Sequence, residues 1–142
     1  MTVRPTGQTK DAGWEIGVSR TVDRPVGEVW DFLTSDTGTA LWLGAGVQRL
    51  DQPGAAYETE AGIAGEIRSF RPGNRVRLTW QPEDWDHDST VQFTVSAAPG
   101  DKTRVVFHQE RLADATERER QRTHWQGVMA ALVAALEKRP AV

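Results

Sequence analysis

The chain has 142 residues, a formal net charge of -3 and no cysteine. This length suits a single domain. The slight acidity argues against a nucleic-acid partner, and the lack of cysteine excludes disulfides and thiolate-bound metals. No apolar run approaches the roughly 18 residues of a membrane span, so we expect a cytoplasmic protein that does not insert into membranes. Six tryptophans are the unusual feature of the composition, because large aromatic side chains either fill a wide core or line a pocket.

The first 13 residues show no apolar periodicity, and we predict a mobile tail over 1–13 followed by one domain over 14–139. Apolar and polar residues then alternate from Trp14 to Val22. This period of two predicts a first strand with one buried face.

Two short helices are predicted after this strand. The first begins at Pro25, a residue suited to a helix start, and its helical apolar spacing continues to about Thr34. The second is capped by Ser35 or Asp36 and ends at Gly44.

Proline and glycine turns then recur at the short intervals of an antiparallel meander. The six strands predicted between these turns are 47–50, 55–59, 63–70, 75–80, 90–97 and 103–111. In the last of them, alternation places Val105 and Phe107 inside, which turns His108 outward and Gln109 inward.

The end of the chain carries the longest periodic segment. Its apolar residues share one face of a helix: Trp125, Val128, Met129, Leu132, Val133 and Leu136. We predict a helix over 116–138, about 30 Å long, that is capped by Asp114 or Thr116 and stopped by Pro140. Its first two turns lack large apolar residues and are expected to overhang solvent. The elements together predict an α+β fold with helices on one side of a curved, seven-stranded antiparallel sheet.

Three segments resemble one known family. Residues 22–44, VDRPVGEVWDFLTSDTGTALWLG, resemble the opening of the SRPBCC or START-like superfamily, specifically its branch of activator-of-heat-shock-protein-ATPase homologues (AHSA-type). Residues 65–80, GEIRSFRPGNRVRLTW, resemble that branch's glycine-led strand, proline turn and strand ending in Thr-Trp. The final helix is similar to its closing segment.

The resemblance implies a helix-grip fold, in which a seven-stranded antiparallel sheet wraps around a long C-terminal helix and leaves an elongated cavity. It also implies the functions of that superfamily, which include lipid and polyketide carriers, aromatic cyclases and chaperone regulators linked to stress responses. The chain departs from the family pattern at three places where the cavity would be lined. Gln109 replaces a histidine late in the last strand, and His124 stands where the family has glycine before the helix tryptophan. The family's Gly-Gly turn with a following aromatic residue is reduced to Gly54-Ala55-Ala56-Tyr57.

If the sheet and helix enclose a cavity, twelve residues are candidates to line it. They are Trp42, Tyr57, Ile67, Ser69, Leu78, Trp80, Trp85, Phe93, Phe107, Gln109, Trp125 and Met129. The aromatic members could equally well fill the core. The acidic loop 82–88 is predicted to be an exposed hairpin tip or, alternatively, an entrance flap that carries Trp85.

The sequence supports no catalytic residue, metal or cofactor. Acidic residues at 84, 86 and 88 imitate a calcium loop but lack its glycine and its closing bidentate acid. The three histidines are too far apart for a paired helical metal motif.

We therefore predict a non-catalytic protein that binds a small hydrophobic molecule with an aromatic or acyl group. One alternative is an enzyme like the polyketide cyclases and dehydratases, which requires an acid or base facing the cavity. The other is a regulator of a chaperone ATPase that acts through protein contact; a chaperone or a second copy of the chain would then be the partner.

Overall fold

The computed structural model describes residues 8–9 and 13–138. Seven strands occur in this part of the chain: β1 (Gln8–Thr9), β2 (Gly13–Val22), β3 (Ala56–Glu58), β4 (Ile63–Arg71), β5 (Arg75–Pro82), β6 (Ser89–Ala98) and β7 (Lys102–Leu112). The helices are α1 (Val26–Thr34), α2 (Asp36–Trp42) and α3 (Ala115–Glu137). All neighbouring strands are antiparallel, in the order β1-β2-β7-β6-β5-β4-β3.

The three helices meet on one face of this sheet, over a single pair of phenylalanines. Phe93 on β6 and Phe107 on β7 are direct cross-strand partners, so their rings lie on the same face. Each helix contributes one tryptophan to them: Trp30 from α1, Trp42 from α2 and Trp125 from α3. The predicted α+β helix-grip architecture is confirmed.

The seven strands are not the seven that the sequence predicts. The segment 47–50 was expected to be a strand and has no strand pairing, although the side chain of Leu50 is buried in the core. With one buried residue in four, this segment lacks the apolar alternation that fixes the register of a strand pair. It packs Leu50 against the core and forms no ladder hydrogen bonds. The seventh strand is Gln8–Thr9, within the predicted tail; the rest of that tail, 1–7 and 10–12, lies outside the described residues.

The α1–α2 corner is fixed by close backbone approach. The Ser35 hydroxyl accepts a hydrogen bond from the backbone N–H of Gly38 at 3.1 Å and caps α2, as predicted. A Cβ atom on Gly38 would lie only 1.8 Å from the carbonyl oxygen of Phe32, so glycine is required here. The Trp42 indole N–H donates to the carbonyl of Leu33 at 2.9 Å, which orients its ring against Phe93.

The long helix α3 matches its prediction closely, except at its start. Asp114 caps it by accepting from the backbone N–H of Glu117 at 2.8 Å, and the predicted stripe is buried apart from a half-buried Val133. The first two turns do not overhang solvent as expected. Gln121 is buried, and the Arg118 guanidinium donates to the carbonyl of Glu15 on β2 at 2.7 Å.

A bulge in β4 changes the side to which one predicted site residue points. Ile67 pairs with Leu78, but the register shifts before Ser69, which pairs with Arg77. Leu78 is buried inside, whereas Arg77 forms an ion pair with Glu110 on the opposite face. Cross-strand partners share a face, so Ser69 lies on the outer face and its predicted place in the cavity is wrong. Regular alternation from Ile67 cannot anticipate an inserted residue.

Candidate functional site

The space between the sheet and α3 is tightly packed. Six of the twelve predicted lining residues have no surface accessible to a water-sized sphere: Ile67, Leu78, Phe93, Phe107, Gln109 and Trp125. Trp42, Met129, Trp80 and Tyr57 keep 2%, 3%, 4% and 7% of theirs. A side chain without accessible surface adjoins neither solvent nor an internal space large enough for water. The predicted cavity is therefore closed along these residues.

A buried polar network lies at the centre of this packing. The side-chain carbonyl oxygen of Gln109 accepts hydrogen bonds from Trp125 Nε1 at 2.9 Å and from Gln121 Nε2 at 2.8 Å. The Gln109 amide donates to Ser89 Oγ at 2.9 Å, and that hydroxyl donates to the backbone carbonyl of Trp80 at 2.7 Å. Every side chain in the network is uncharged.

Two members of this network were missed by the sequence analysis, although the signals were present. Gln121 precedes Trp125 by four residues, which places both on one helix face. Ser89 continues the inward alternation of Val91 and Phe93 by one step.

A row of aromatic rings connects this network to the surface. We call Trp80, Trp85 and His124 the mouth. The Trp80 ring lies 5.2 Å from that of Trp85 and 6.1 Å from that of His124. His124 in turn meets Trp125 edge-on at 4.8 Å, and Trp125 stacks on Phe107 at 5.2 Å. Trp85 is half-buried and His124 is exposed over part of its surface.

The residues 83–88, which we call the flap, connect β5 to β6 and bring Trp85 to this mouth. The Trp85 ring stacks on that of His87 at 4.9 Å. His87 Nε2 lies 2.9 Å from one carboxylate oxygen of Glu117 in the first turn of α3. The acidic hairpin tip is thus folded back over the helix.

The two histidines of this region have pKa values shifted in opposite directions. Burial lowers the pKa of His124 because the packed aromatic surroundings disfavour its charged form. Burial also lowers the pKa of His87, but the carbonyl of Asp88 and the carboxylates of Glu117 and Asp86 outweigh it. The net shift for His87 is upward.

The hydroxyl of Tyr57, one of the predicted lining residues, is not free to bind a ligand. That hydroxyl donates to the backbone carbonyl of Thr79 at 2.6 Å, and burial raises its pKa. The bond ties β3 across β4 to β5. Tyr57 thus fastens the edge of the sheet.

One group of potential metal ligands occurs among the described residues, on the outer face of the sheet. Glu15, His108 and Glu110 place ligand atoms within 4.8 Å of one another. Glu110 is already paired with Arg77, and the group is on the opposite side of the sheet from the aromatic core. It does not belong to the predicted cavity.

Two open depressions on the described surface lie elsewhere. The one at the far end of α3 encloses about 300 Å³ and is lined by the end of β2 together with Val133, Leu136 and Glu137. Another, of about 330 Å³, lies between Glu58 and Glu83. None of the twelve predicted residues lines either depression.

The fold and the helix-covered aromatic core define a helix-grip protein of the START-like class. The chain belongs to the family described as Activator of Hsp90 ATPase homolog 1-like protein, whose sequence profile matches residues 23–137. No curated protein matches the chain significantly. Within the described residues, no helix is both long and apolar enough to cross a membrane.

Solved structures with low sequence identity share this fold. DynU16, a putative protein in the dynemicin biosynthetic locus, has a TM-score of 0.77 and 20% identity over 87% of this chain and 47% of its own. The present chain therefore spans about half the length of that protein. CalU16 from Micromonospora echinospora has a TM-score of 0.75 and 22% identity over 94% of this chain and 82% of its own. PFC0360w, an HSP90 activator from Plasmodium falciparum, has a TM-score of 0.74 and 15% identity over 88% of this chain and 97% of its own.

Proposed function

We propose that the protein binds a small, planar, uncharged hydrophobic molecule between the sheet and α3, and that the molecule reaches this site through the mouth. The observation that carries the proposal is the unbroken row of rings from half-buried Trp85 to the stacked pair of Trp125 and Phe107. Aromatic faces and edges are favourable contacts for a flat apolar ligand.

The buried polar network supports the choice of an uncharged ligand. Gln109, Ser89 and Gln121 offer only amide and hydroxyl groups. A carboxylate or ammonium placed beside them would lose its hydration without gaining an opposite charge, which is costly. A neutral carbonyl or hydroxyl group could replace one of the existing partners at lower cost.

Binding requires the mouth to open, because Phe107 and Trp125 have no accessible surface in the closed form. The side chains best placed to move are Trp85 and His124, which retain solvent exposure. The observed affinity is then the affinity of the open form reduced in proportion to the fraction of molecules that are open.

The same network gives less support to a cyclase or dehydratase activity. General acid-base catalysis needs a titratable group within hydrogen-bond reach of the substrate. Glu66 and His108, two titratable residues of the sheet, do not face this core. His108 pairs with Glu15 outside the core, and Glu66 with Arg68, a residue exposed to solvent. His124 is a titratable residue that contacts one member of the network, Trp125.

The proposal is tested by titrating the protein with N-phenyl-1-naphthylamine, a flat, neutral fluorescent probe, and by native mass spectrometry for a co-purified molecule. We expect saturable binding to one site. Trp85→Ala removes one aromatic contact worth about 0.5–1.5 kcal/mol and should weaken binding roughly twofold to tenfold.

Phe70→Ala is the matched control for this variant. Phe70 is also a half-buried aromatic residue, but its ring contacts Trp30 and not the mouth. We expect its affinity to stay within about twofold of the parent. A folded protein that binds no probe and carries no molecule would overturn the proposal. Stimulation of an Hsp90 ATPase by the same preparation would then favour the chaperone-regulator alternative.

A further inference from the structure

We propose that His87 and Glu117 form a pH-dependent latch that holds the flap closed at the mouth, and that deprotonation of His87 as the pH rises releases the flap and speeds ligand access. This inference rests on the proposed function for its consequence. The latch itself stands on contacts that are independent of any ligand.

Both ring nitrogens of His87 face hydrogen-bond acceptors. Nδ1 lies 2.9 Å from the backbone carbonyl oxygen of Asp88, and Nε2 lies 2.9 and 3.1 Å from the two carboxylate oxygens of Glu117. A neutral imidazole can donate from only one nitrogen, whereas the imidazolium donates from both. The closed geometry therefore matches the protonated ring.

Glu117 is held firmly by the start of α3. Its carboxylate accepts from the backbone N–H of Ala113 at 3.0 Å, and its own N–H donates to the carboxylate of Asp114 at 2.8 Å. The arrangement is similar to a capping box, except that the carboxylate reaches the residue before the cap, and it fixes the Glu117 side chain to the helix end. The latch thus connects an irregular loop to a rigid anchor.

The latch also positions the aromatic cover. The ring of His87 is stacked on Trp85, with 22° between the two planes, and a cationic ring over an indole face adds further attraction. Trp85 meets Trp80 at 81°, and its backbone carbonyl accepts from Gln81 Nε2 at 2.8 Å. When His87 loses its proton, the stack loses its cationic partner. The neutral ring keeps one N–H, which serves either the Asp88 carbonyl or the Glu117 carboxylate, so the connection from the flap to α3 loses its charge and is weakened.

The charges around His87 favour its protonated form, and hence a closed latch at low pH. Glu117 faces it from α3 and Asp86 from the flap, and both favour the protonated ring. Asp88 contributes its carbonyl, while its carboxylate is paired with Arg111 of β7 at 3.4 Å. Because the folded-state pKa is raised, the latch contributes fully below the unfolded value of about 6.5 and is lost as the pH rises through the folded value.

The latch is tested by hydrogen exchange and mass spectrometry on peptides covering the flap, corrected for intrinsic exchange rates, from pH 5.5 to 8.5. We expect protection of the flap to fall about threefold to tenfold over this range, the scale of one partly exposed charge-assisted bond. His87→Gln should give low protection at every pH. Glu117→Gln, which keeps a side chain able to cap α3, should also remove the pH dependence.

His108→Gln is the matched control, because His108 Nε2 also faces a glutamate, Glu15, at 3.6 Å on the outer face of the sheet. Flap protection in His108→Gln should fall with pH as it does in the parent. Flap protection that is independent of pH in the parent, or equally altered in His108→Gln, overturns the latch.

A second measurement separates the latch from the proposed function. Stopped-flow mixing with N-phenyl-1-naphthylamine should show an association rate that rises with pH in the parent and is constant in His87→Gln. A flap that opens with pH in a protein that binds no probe refutes the binding function and leaves the latch intact. Probe association that is constant with pH refutes the claim that the latch controls access.

Discussion

Replacing Gln109 with leucine tests whether the buried network specifies this core. Gln109 is the hub of the network and has no accessible surface. Leucine removes the acceptor of two hydrogen bonds, from Trp125 and Gln121, and the donor to Ser89. The Ser89 hydroxyl still donates to the carbonyl of Trp80. The loss of stability is therefore determined by the two donors left without an acceptor, on Trp125 and Gln121.

The expected loss follows from how far each donor can recover. A buried donor without a partner costs about 1–3 kcal/mol, and the indole N–H of Trp125 has no route to water because its residue is fully buried. Gln121 keeps 7% of its surface and can turn partly toward solvent. The gain from burying an apolar leucine offsets about 1 kcal/mol. We expect the free energy of unfolding to fall by about 2 kcal/mol.

The assay is urea denaturation followed by circular dichroism. The midpoint should fall by roughly 1 M at an unchanged slope. Gln92→Leu is the control, because Gln92 on β6 bonds Arg77 at 3.4 Å on the outer face and should change stability by less than about 0.5 kcal/mol. Adding Gln121→Leu to Gln109→Leu removes one stranded donor, so the double variant should lose less than the sum of the singles. Equal costs for Gln109→Leu and Gln92→Leu would refute the reasoning.

Three further predictions, made with four variants, test other parts of the fold. Trp125→Ala should cost about 3–5 kcal/mol, because a fully buried indole leaves a cavity between α3 and the sheet; an unchanged melting temperature would contradict this. Gly65→Ala should destabilise strongly because its Cβ would lie 2.0 Å from the carbonyl oxygen of Thr79, whereas Gly27→Ala, in α1 with nothing within 4 Å, should stabilise by about 0.5–1 kcal/mol. A similar melting temperature for both alanine variants would count against the close approach of β4 and β5. His124 has a lowered folded-state pKa, so its stabilising contribution is present above about pH 6.5 and is lost as the pH falls. Denaturation at pH 7.5 and 5 should therefore show a larger loss on acidification in the parent than in His124→Gln.

The candidate site could be predicted only in part. Strand alternation correctly placed Gln109 inward and His108 outward, because the phase of a regular strand follows from its apolar residues. It failed at Ser69, where one inserted residue reverses the face. The partners of Gln109 come from β6 and α3, 20 and 12 residues away in sequence, and no local pattern encodes such pairings.

The sequence by itself determined the helices, six of the seven strands and the apolar stripe of α3, because periods of 3.6 and 2 residues are local properties of the chain. Only the tertiary structure decided whether the aromatic residues enclose space or fill it. That outcome depends on how side chains from α1, α2, α3 and the sheet fit together to within about an ångström, a property of packed volumes that composition does not reveal. The structure also decided that the acidic loop folds back over α3, because that contact joins His87 to Glu117 across 30 residues of chain.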